Sequence, residues 1–228
     1  MIVFVTGTGT DIGKTIATAA LGVKARAEGF DVTAAKPLQT GEPDGHGDAA
    51  TIEALTGLNT IEMRRYPEPL APNLSARRAG MDVPSPDAIA AWLQPHDSPG
   101  TLLLVEGAGG LLSRWGDDHC LADAAGACNA PVIVVTSLGL GCLNTVELTV
   151  NEACRRGLDV LFLFGGSLPA QEDMDTATRL NLEEIPRVTG LPLAGSMPAD
   201  SGQLERADFE KVALNATASI DFRSLLDS

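Results

Sequence analysis

The sequence predicts an α/β fold, a mostly parallel sheet flanked by helices on both faces, in a single domain over residues 1–228. Three observations predict it. Short apolar runs recur along the chain; they are apolar throughout and do not alternate with polar residues; and stretches of helical period lie between them. A strand covered on both faces has no polar side, and a crossover helix is the usual link from one parallel strand to the next. The 228 residues fill one such core and are too few for two ordinary ones.

In chain order, the runs 2–5, 32–35, 102–105, 132–135, 160–164 and 191–194 read as strands, each short, apolar and bounded by turn residues. Residues 16–27 space their apolar side chains for one buried face and stop at Gly29, so they read as a helix. Further helices are expected over 49–55, 86–93, 143–156 and 179–188 by the same periodicity. Residues 66–86 are the least regular, with Pro67, Pro69, Pro72, Pro84 and Pro86 around a basic pair, Arg77 and Arg78; they read as loop and short helix. Residues 201–228 read as amphipathic packing, and no repeat, linker or low-complexity tract interrupts the chain. In an open sheet of this kind ligands bind beyond the carboxyl ends of the strands, so the residues that follow the apolar runs are the candidates for chemistry.

Composition narrows the partners. Aromatic residues are only 4% of the chain and the formal charge is −14, which leaves neither a stacking platform nor a basic surface for nucleic acid. Of the four lysines, Lys14, Lys24, Lys36 and Lys211, two follow expected strands, as a local phosphate site requires. Cys120, Cys128, Cys142 and Cys154 form no C-x-x-C pair and have no histidine at metal spacing, so buried reduced thiols are expected. No basic leader opens the chain and no apolar run reaches membrane-spanning length. The expectation is a soluble cytoplasmic protein with no membrane partner.

Three segments carry chemistry. The first, Gly7-Thr8-Gly9-Thr10-Asp11-Ile12-Gly13-Lys14-Thr15, lies where a strand hands over to a helix. Its glycines let backbone N–H groups turn inward on phosphate oxygens at the positive end of that helix, Lys14 reaches the terminal phosphates, and the Thr15 hydroxyl completes the coordination of a phosphate-bound Mg²⁺. The pattern departs from the general one in that Thr8 stands where a glycine is expected, Gly7 lying one position earlier. A plain glycine turn is the competing reading. The second segment is Lys36-Pro37-Leu38-Gln39-Thr40-Gly41, where Pro37 is expected to leave Lys36 at a strand end facing the loop; a solvated lysine competes. The third is the run 102–105 followed by Glu106-Gly107-Ala108-Gly109-Gly110, a buried strand that delivers a carboxylate to its tip and then turns through glycines. It resembles a Walker-B arrangement with Glu in place of Asp, against the alternative of a partly exposed strand cap. The fold class these features give is P-loop NTPase-like, and ATP or another triphosphate is the expected co-substrate.

Together these segments, with Gly139-Leu140-Gly141-Cys142-Leu143-Asn144, resemble the dethiobiotin synthetases, in the same order over residues 2 to about 200. The resemblance implies a Mg²⁺-dependent homodimer, a ligase of biotin biosynthesis that converts 7,8-diaminononanoate, CO₂ and ATP into dethiobiotin, ADP and phosphate through a carbamate and a carbamic-phosphoric mixed anhydride. It makes Lys36 and Lys14 catalytic, and assigns the metal to Thr15, Asp48 and Glu106, with an ordinary helix cap as the alternative for Asp48. The diamine and its carbamate are expected against Thr10, Asp11, Lys36 and Thr40. Gly141, Cys142, Leu143 and Asn144 would serve the other subunit's site across the dimer, with simple helix capping as their alternative. The nucleotide is expected against Asp11, Ile12, Gly13, Lys14, Thr15 and Ile16, against Asp48 and Glu106, Gly107, Ala108 and Gly109, and against Gly166, Ser167, Pro198, Ala199 and Asp200. Gly166-Ser167 departs from the Asn-Asp pair by which relatives read adenine, so triphosphates such as CTP are expected to serve as well. Asp11 also departs from the Glu or Gly of some relatives. Two other readings compete: a ParA-type partitioning ATPase, which would carry a further lysine early in the phosphate loop, and a cobyrinic-acid-type amidoligase, which would need a glutamine-hydrolysing domain.

Overall fold

The computed structural model describes residues 1–226. Seven strands form one sheet: β1 (Ile2–Gly7), β2 (Asp31–Thr40), β3 (Asn59–Tyr66), β4 (Thr101–Glu106), β5 (Val132–Thr136), β6 (Val160–Leu168) and β7 (Leu193–Pro198). Their order is β3-β2-β4-β1-β5-β6-β7, and every pairing is parallel. The helices are α1 (Lys14–Ala27), α2 (Asp48–Thr56), α3 (Pro72–Ala79), α4 (Pro86–Leu93), α5 (Leu121–Ala127), α6 (Cys142–Arg155), α7 (Thr176–Thr189), α8 (Arg206–Ala216) and α9 (Phe222–Leu226).

The period of two along each strand sorts the core into two layers. Phe4, Leu103, Val105, Val132 and Val134 face α4, α5 and α6, where they meet Ile89, Leu121 and Val146. Val3, Val5, Leu102, Leu104, Ile133 and Val135 face the other way, against Leu21 of α1, Ile52 of α2 and Phe209 of α8. Both faces are covered, which is why these strands carry no polar alternation.

Three sequence expectations need correction. β3 was not expected, because Asn59-Thr60-Ile61-Glu62-Met63-Arg64-Arg65-Tyr66 carries three charged residues among its eight and has no apolar run. It is an edge strand, and charge on an edge discourages pairing with another chain. β2 does not stop at Lys36 but runs on through Pro37 to Thr40, paired with β3 alone after its pairing with β4 ends at Ala35↔Val105. Pro37 is tolerated where one neighbour has fallen away, since it has no N–H to donate. Lys36 thus stands one residue past the end of the β2–β4 pairing, at the lip of a crevice. Helix α5 was likewise outside the expected set; its seven residues, Leu-Ala-Asp-Ala-Ala-Gly-Ala, are too short and too uniformly small to show a period.

Candidate active site

The same alternation that builds the core aims the charges. In β4, Leu102 and Leu104 face α1, and Glu106 continues that series; in β2, Val32 and Ala34 do the same, and Lys36 follows. Both side chains therefore emerge on the side of the sheet where α1 and α2 begin, and both remain buried. Lys36 Nζ donates to Glu106 Oε1 at 3.0 Å and to the Gly107 carbonyl at 3.0 Å, and pairs with Asp48 Oδ2 at 2.5 Å. All three of its protons are taken. Burial works against this ammonium, but the Glu106 and Asp48 carboxylates outweigh it and raise its pKa, so Lys36 is charged. Burial likewise opposes the charge on Asp48, and Lys36 beside it prevails, holding that carboxyl below the usual range. For Glu106, 1% exposed, burial prevails over the pull of Lys36 and the pKa is raised.

Helix α1 begins at Lys14, with Gly13 as its N-cap at φ 90°, no capping side chain and no acidic residue in its first turn. The N–H groups of that turn have no acceptor within the helix, and the helix dipole adds positive potential, so this end is built for an anion. Lys14 Nζ bends back to donate to the Gly9 carbonyl at 2.7 Å, inside its own loop. Its burial lowers its pKa against the pull of Glu106. The loop rests on β6: a Cβ on Gly166 would fall 1.6 Å from the Ile12 carbonyl oxygen, and one on Gly13 would fall 2.4 Å from that of Gly166. Position 166 is thus a contact point that admits no side chain while the loop lies there.

The Thr15 hydroxyl oxygen is 2.8 Å from Asp48 Oδ1 and 2.9 Å from Glu106 Oε1, yet it has one proton for two acceptors. Glu106 Oε2 is buried with no hydrogen-bond partner among the described residues. Two carboxylates and a hydroxyl crowded together, one oxygen of them unsatisfied, are hard donors, and such a set fits a hard cation such as Mg²⁺.

These groups line one cavity of about 950 Å³, which takes in Thr10, Asp11, Gly13, Lys14, Thr15, Ile16, Lys36, Thr40, Asp48, Glu106, Gly107, Ala108 and Gly109. Asp11 holds a left-handed backbone at φ 56°, unusual for a residue with a side chain. Other expected residues lie elsewhere. Ile12 packs its backbone on Gly166 beside the cavity, and Ser167, Pro198, Ala199 and Asp200 are exposed at the ends of β6 and β7. Gly141, Cys142, Leu143 and Asn144 form the start of α6 and do not line this cavity. The cavity also has a wall that sequence reasoning missed, made by Pro69, Leu70, Ala71 and Pro72, and it is lined further by Leu38, Glu42 and Ser113. The only signal for it was the proline punctuation of 66–86. Trp115, fully buried, donates its indole N–H to the Ala108 carbonyl at 3.3 Å and so braces the glycine turn from behind.

Comparison with known proteins identifies the family. A family model described as an AAA domain matches residues 2–205. An ATP-dependent dethiobiotin synthetase BioD of Corynebacterium diphtheriae is 53% identical over 208 residues, covering 91% of this chain and 93% of the relative. Another, from Streptomyces coelicolor, is 46% identical over 215 residues, covering 93% and 90%. Among solved structures, the septum site-determining protein MinD of Pyrococcus horikoshii, in complex with Mg-ADP, superposes with a TM-score of 0.61 at 16% identity over 100% of this chain and 98% of that one. A ParA family ATPase from Chlorobium tepidum gives 0.54 at 15% identity, covering 99% and 97%. At such identities the likeness to MinD and ParA is one of fold alone. The identity to the synthetases extends over nine tenths of the sequence, and the chain belongs to the ATP-dependent dethiobiotin synthetases, ligases of biotin biosynthesis.

Proposed function

We propose that this protein makes dethiobiotin from 7,8-diaminononanoate, CO₂ and ATP with Mg²⁺, as a cytoplasmic homodimer of single-domain chains. The observation that carries the reading is the meeting of Lys36, Thr15, Asp48 and Glu106 in one cavity beside the start of α1. One amine of the substrate adds to CO₂ and loses a proton, giving a carbamate. A carbamate oxygen attacks the γ-phosphorus and ADP departs, leaving the carbamic-phosphoric mixed anhydride. The second amine then attacks the anhydride carbon and displaces phosphate, which takes up the amine's proton as the ureido ring closes.

Carbamate and triphosphate repel each other, so the protein's task is to hold them together with fixed positive charge. Lys36 stands where one group meets the other and neutralises both. Lys14 exchanges the Gly9 carbonyl for a phosphate oxygen, and the first-turn N–H groups of α1 receive the rest of the triphosphate. Thr15, Asp48 and Glu106 would hold Mg²⁺, which when bound draws charge from the phosphate oxygens as the γ-phosphoryl group transfers. Thr10, Asp11 and Thr40 orient the diamine, and the Asp11 carboxylate complements its positive charge. The apolar wall at Pro69–Pro72 suits the methylene chain.

Nothing basic among the cavity's lining residues is left for the substrate's carboxylate, as its only cations are Lys14 and Lys36. The start of α6, with Gly141 to Asn144, supplies N–H groups for it from a second copy of the chain. In support, Leu140 and Leu148 flank that turn at 91% and 62% exposure, apolar surface of the kind a dimer covers. The four cysteines are free, Cys120 and Cys142 buried as expected but Cys128 half-buried and Cys154 exposed, and free thiols suit a reducing compartment; no described helix is long and apolar enough to cross a membrane. At the far end of the nucleotide, Gly166 offers no side chain and Ser167 only a hydroxyl, so the base is weakly discriminated and CTP serves beside ATP.

The test is to incubate the purified protein with diaminononanoate, bicarbonate, Mg²⁺ and, in turn, ATP, CTP and GTP, and to weigh the product. Dethiobiotin is expected with ATP and with CTP. No dethiobiotin with any triphosphate overturns the function; turnover with ATP alone overturns the reading of the base.

A further inference from the structure

Helix α2 opens at Asp48 without a capping side chain of its own: the residue before it, Gly47, sits at φ 111° and ψ −171° and has none to give. The Asp48 N–H donates instead to Gln39 Oε1 at 2.9 Å. Gln39 is buried in β2, and its Nε2 donates to the Thr40 carbonyl at 3.2 Å. The orientation of the amide follows from its partners, because an N–H needs an acceptor and a carbonyl needs a donor. Gly47 lies directly on this amide, for a Cβ there would come within 2.8 Å of Gln39 Cδ and Oε1. The carboxylate of Asp48 is held from its other end by Lys36, three residues before Gln39 on the same strand, and by Thr15 of α1.

We infer that Gln39 is a positioning residue, an external cap supplied by β2 that fixes the backbone of Asp48 so that its carboxylate reaches both Lys36 and Thr15. The intervening segment 41–47 would not fix it alone. Gly41, Gly45 and Gly47 all have positive φ, and glycine leaves a chain wide conformational freedom. Arg65 on β3 pins the first half of that segment through the Glu42 and Pro43 carbonyls, at 3.1 and 3.0 Å. Gln39 pins its end. The amide also explains why the residue is not Glu: a carboxylate would accept the same N–H but set a third negative charge beside Asp48 and Glu106, where a triphosphate must approach.

This inference rests on the reading that Asp48 belongs to the metal site, and two variants test it. Gln39→Met keeps length and burial and has no acceptor; Gln39→Glu keeps the acceptor. Amide hydrogen exchange on the metal-free protein reads the cap without turnover. Exchange at Asp48 and in the first turn of α2 is expected to rise by roughly tenfold or more in Gln39→Met and to stay within about threefold of wild type in Gln39→Glu. In the dethiobiotin assay the Mg²⁺ concentration for half-maximal rate should rise by about tenfold in Gln39→Met, with the KM for the diamine within about twofold, the usual scale for losing an outer-shell partner of a metal ligand. Wild-type exchange at Asp48 in Gln39→Met overturns the inference, as does an unchanged Mg²⁺ response once the exchange has risen. If the wild-type protein makes no dethiobiotin, the proposed function fails while the exchange measurement still decides the cap.

Discussion

Replacing Lys36 by Met removes a buried cation and leaves its partners in place. Three contacts go at once: those to Asp48, Glu106 and the Gly107 carbonyl. Asp48, with a side chain 31% exposed, recovers water, whereas Glu106, 1% exposed, retains only the Thr15 hydroxyl, which it shares with Asp48. Breaking a buried pair from one side costs about 3–5 kcal/mol. The cost is capped because Glu106 can take up a proton, to which burial already inclines it. For a chain of this length each kcal/mol lowers Tm by about 2–4 °C, so a fall of roughly 6–20 °C is expected. Calorimetry on metal-free protein at pH 8 measures it. Adding Glu106→Gln to Lys36→Met removes the stranded charge and should recover half or more of the loss. Turnover of Lys36→Met should fall on the order of 10² or more, the scale for removing one preorganised charge. A Tm within about 2 °C of wild type, or no recovery in the double variant, would show that Lys36 and Glu106 are not coupled as the distances require.

Gly166→Asn, which would restore an adenine-reading amide at the level of sequence, should instead lower turnover by tenfold or more with every triphosphate, since its Cβ would overlap the Ile12 carbonyl and lift the phosphate loop; a gain in ATP preference at wild-type rate would refute this. Leu148→Asp on α6 should leave the chain folded and shift it toward monomer in sedimentation, with loss of turnover, whereas an unchanged assembly would exclude that face as the interface. Tyr66, the single tyrosine, is fully buried and donates its hydroxyl to the Asp82 carbonyl at 3.0 Å, and burial raises its pKa. A group raised on folding contributes stability that is complete below its unfolded value, about 10, and is lost as pH rises through the folded value. Tyrosinate absorbance should therefore appear above pH 10 and together with loss of circular dichroism; ordinary titration in a folded protein would contradict it.

The sheet was legible in the sequence because its central strands are covered on both faces and so declare themselves as apolar runs. Six of seven strands appear where those runs lie, extended by one to five residues at their C-terminal ends in every case; for β7 the run also starts two residues early. The extensions matter, since the residues they add, Thr6 and Gly7, Lys36 to Thr40, Glu106, and Gly165 to Leu168, line or border the site. Polar residues at a strand's tip look like loop to any reading based on hydrophobic pattern. β3 was hidden for the opposite reason, having one free edge and a charged sequence. The loop lysine, Lys36 and Glu106 were legible as types, but their union was not. Nothing in the spacing of residues 15, 36, 48 and 106 says that they meet; sheet order and side-chain alternation do that. Gln39 stood in a motif without a role because its partner is a backbone N–H, which no sequence displays.

Both lysines of the site are already satisfied within the chain, Lys14 by the Gly9 carbonyl and Lys36 by two carboxylates and a carbonyl. Neither waits as a bare cation. A ligand must therefore offer each lysine an oxygen at least as good as the one it replaces. A neutral carbonyl is readily displaced by a phosphate oxygen, because charge-assisted hydrogen bonds are roughly twice as strong as neutral ones. The Lys36–Asp48 pair is harder to displace, and it yields most easily when Asp48 acquires another cation to hold. In the proposed site the metal would be that cation. With Asp48 so engaged, one N–H of Lys36 would be free for the carbamate. The buried ammonium, whose three protons meet three acceptors in the free chain, would then remain paired.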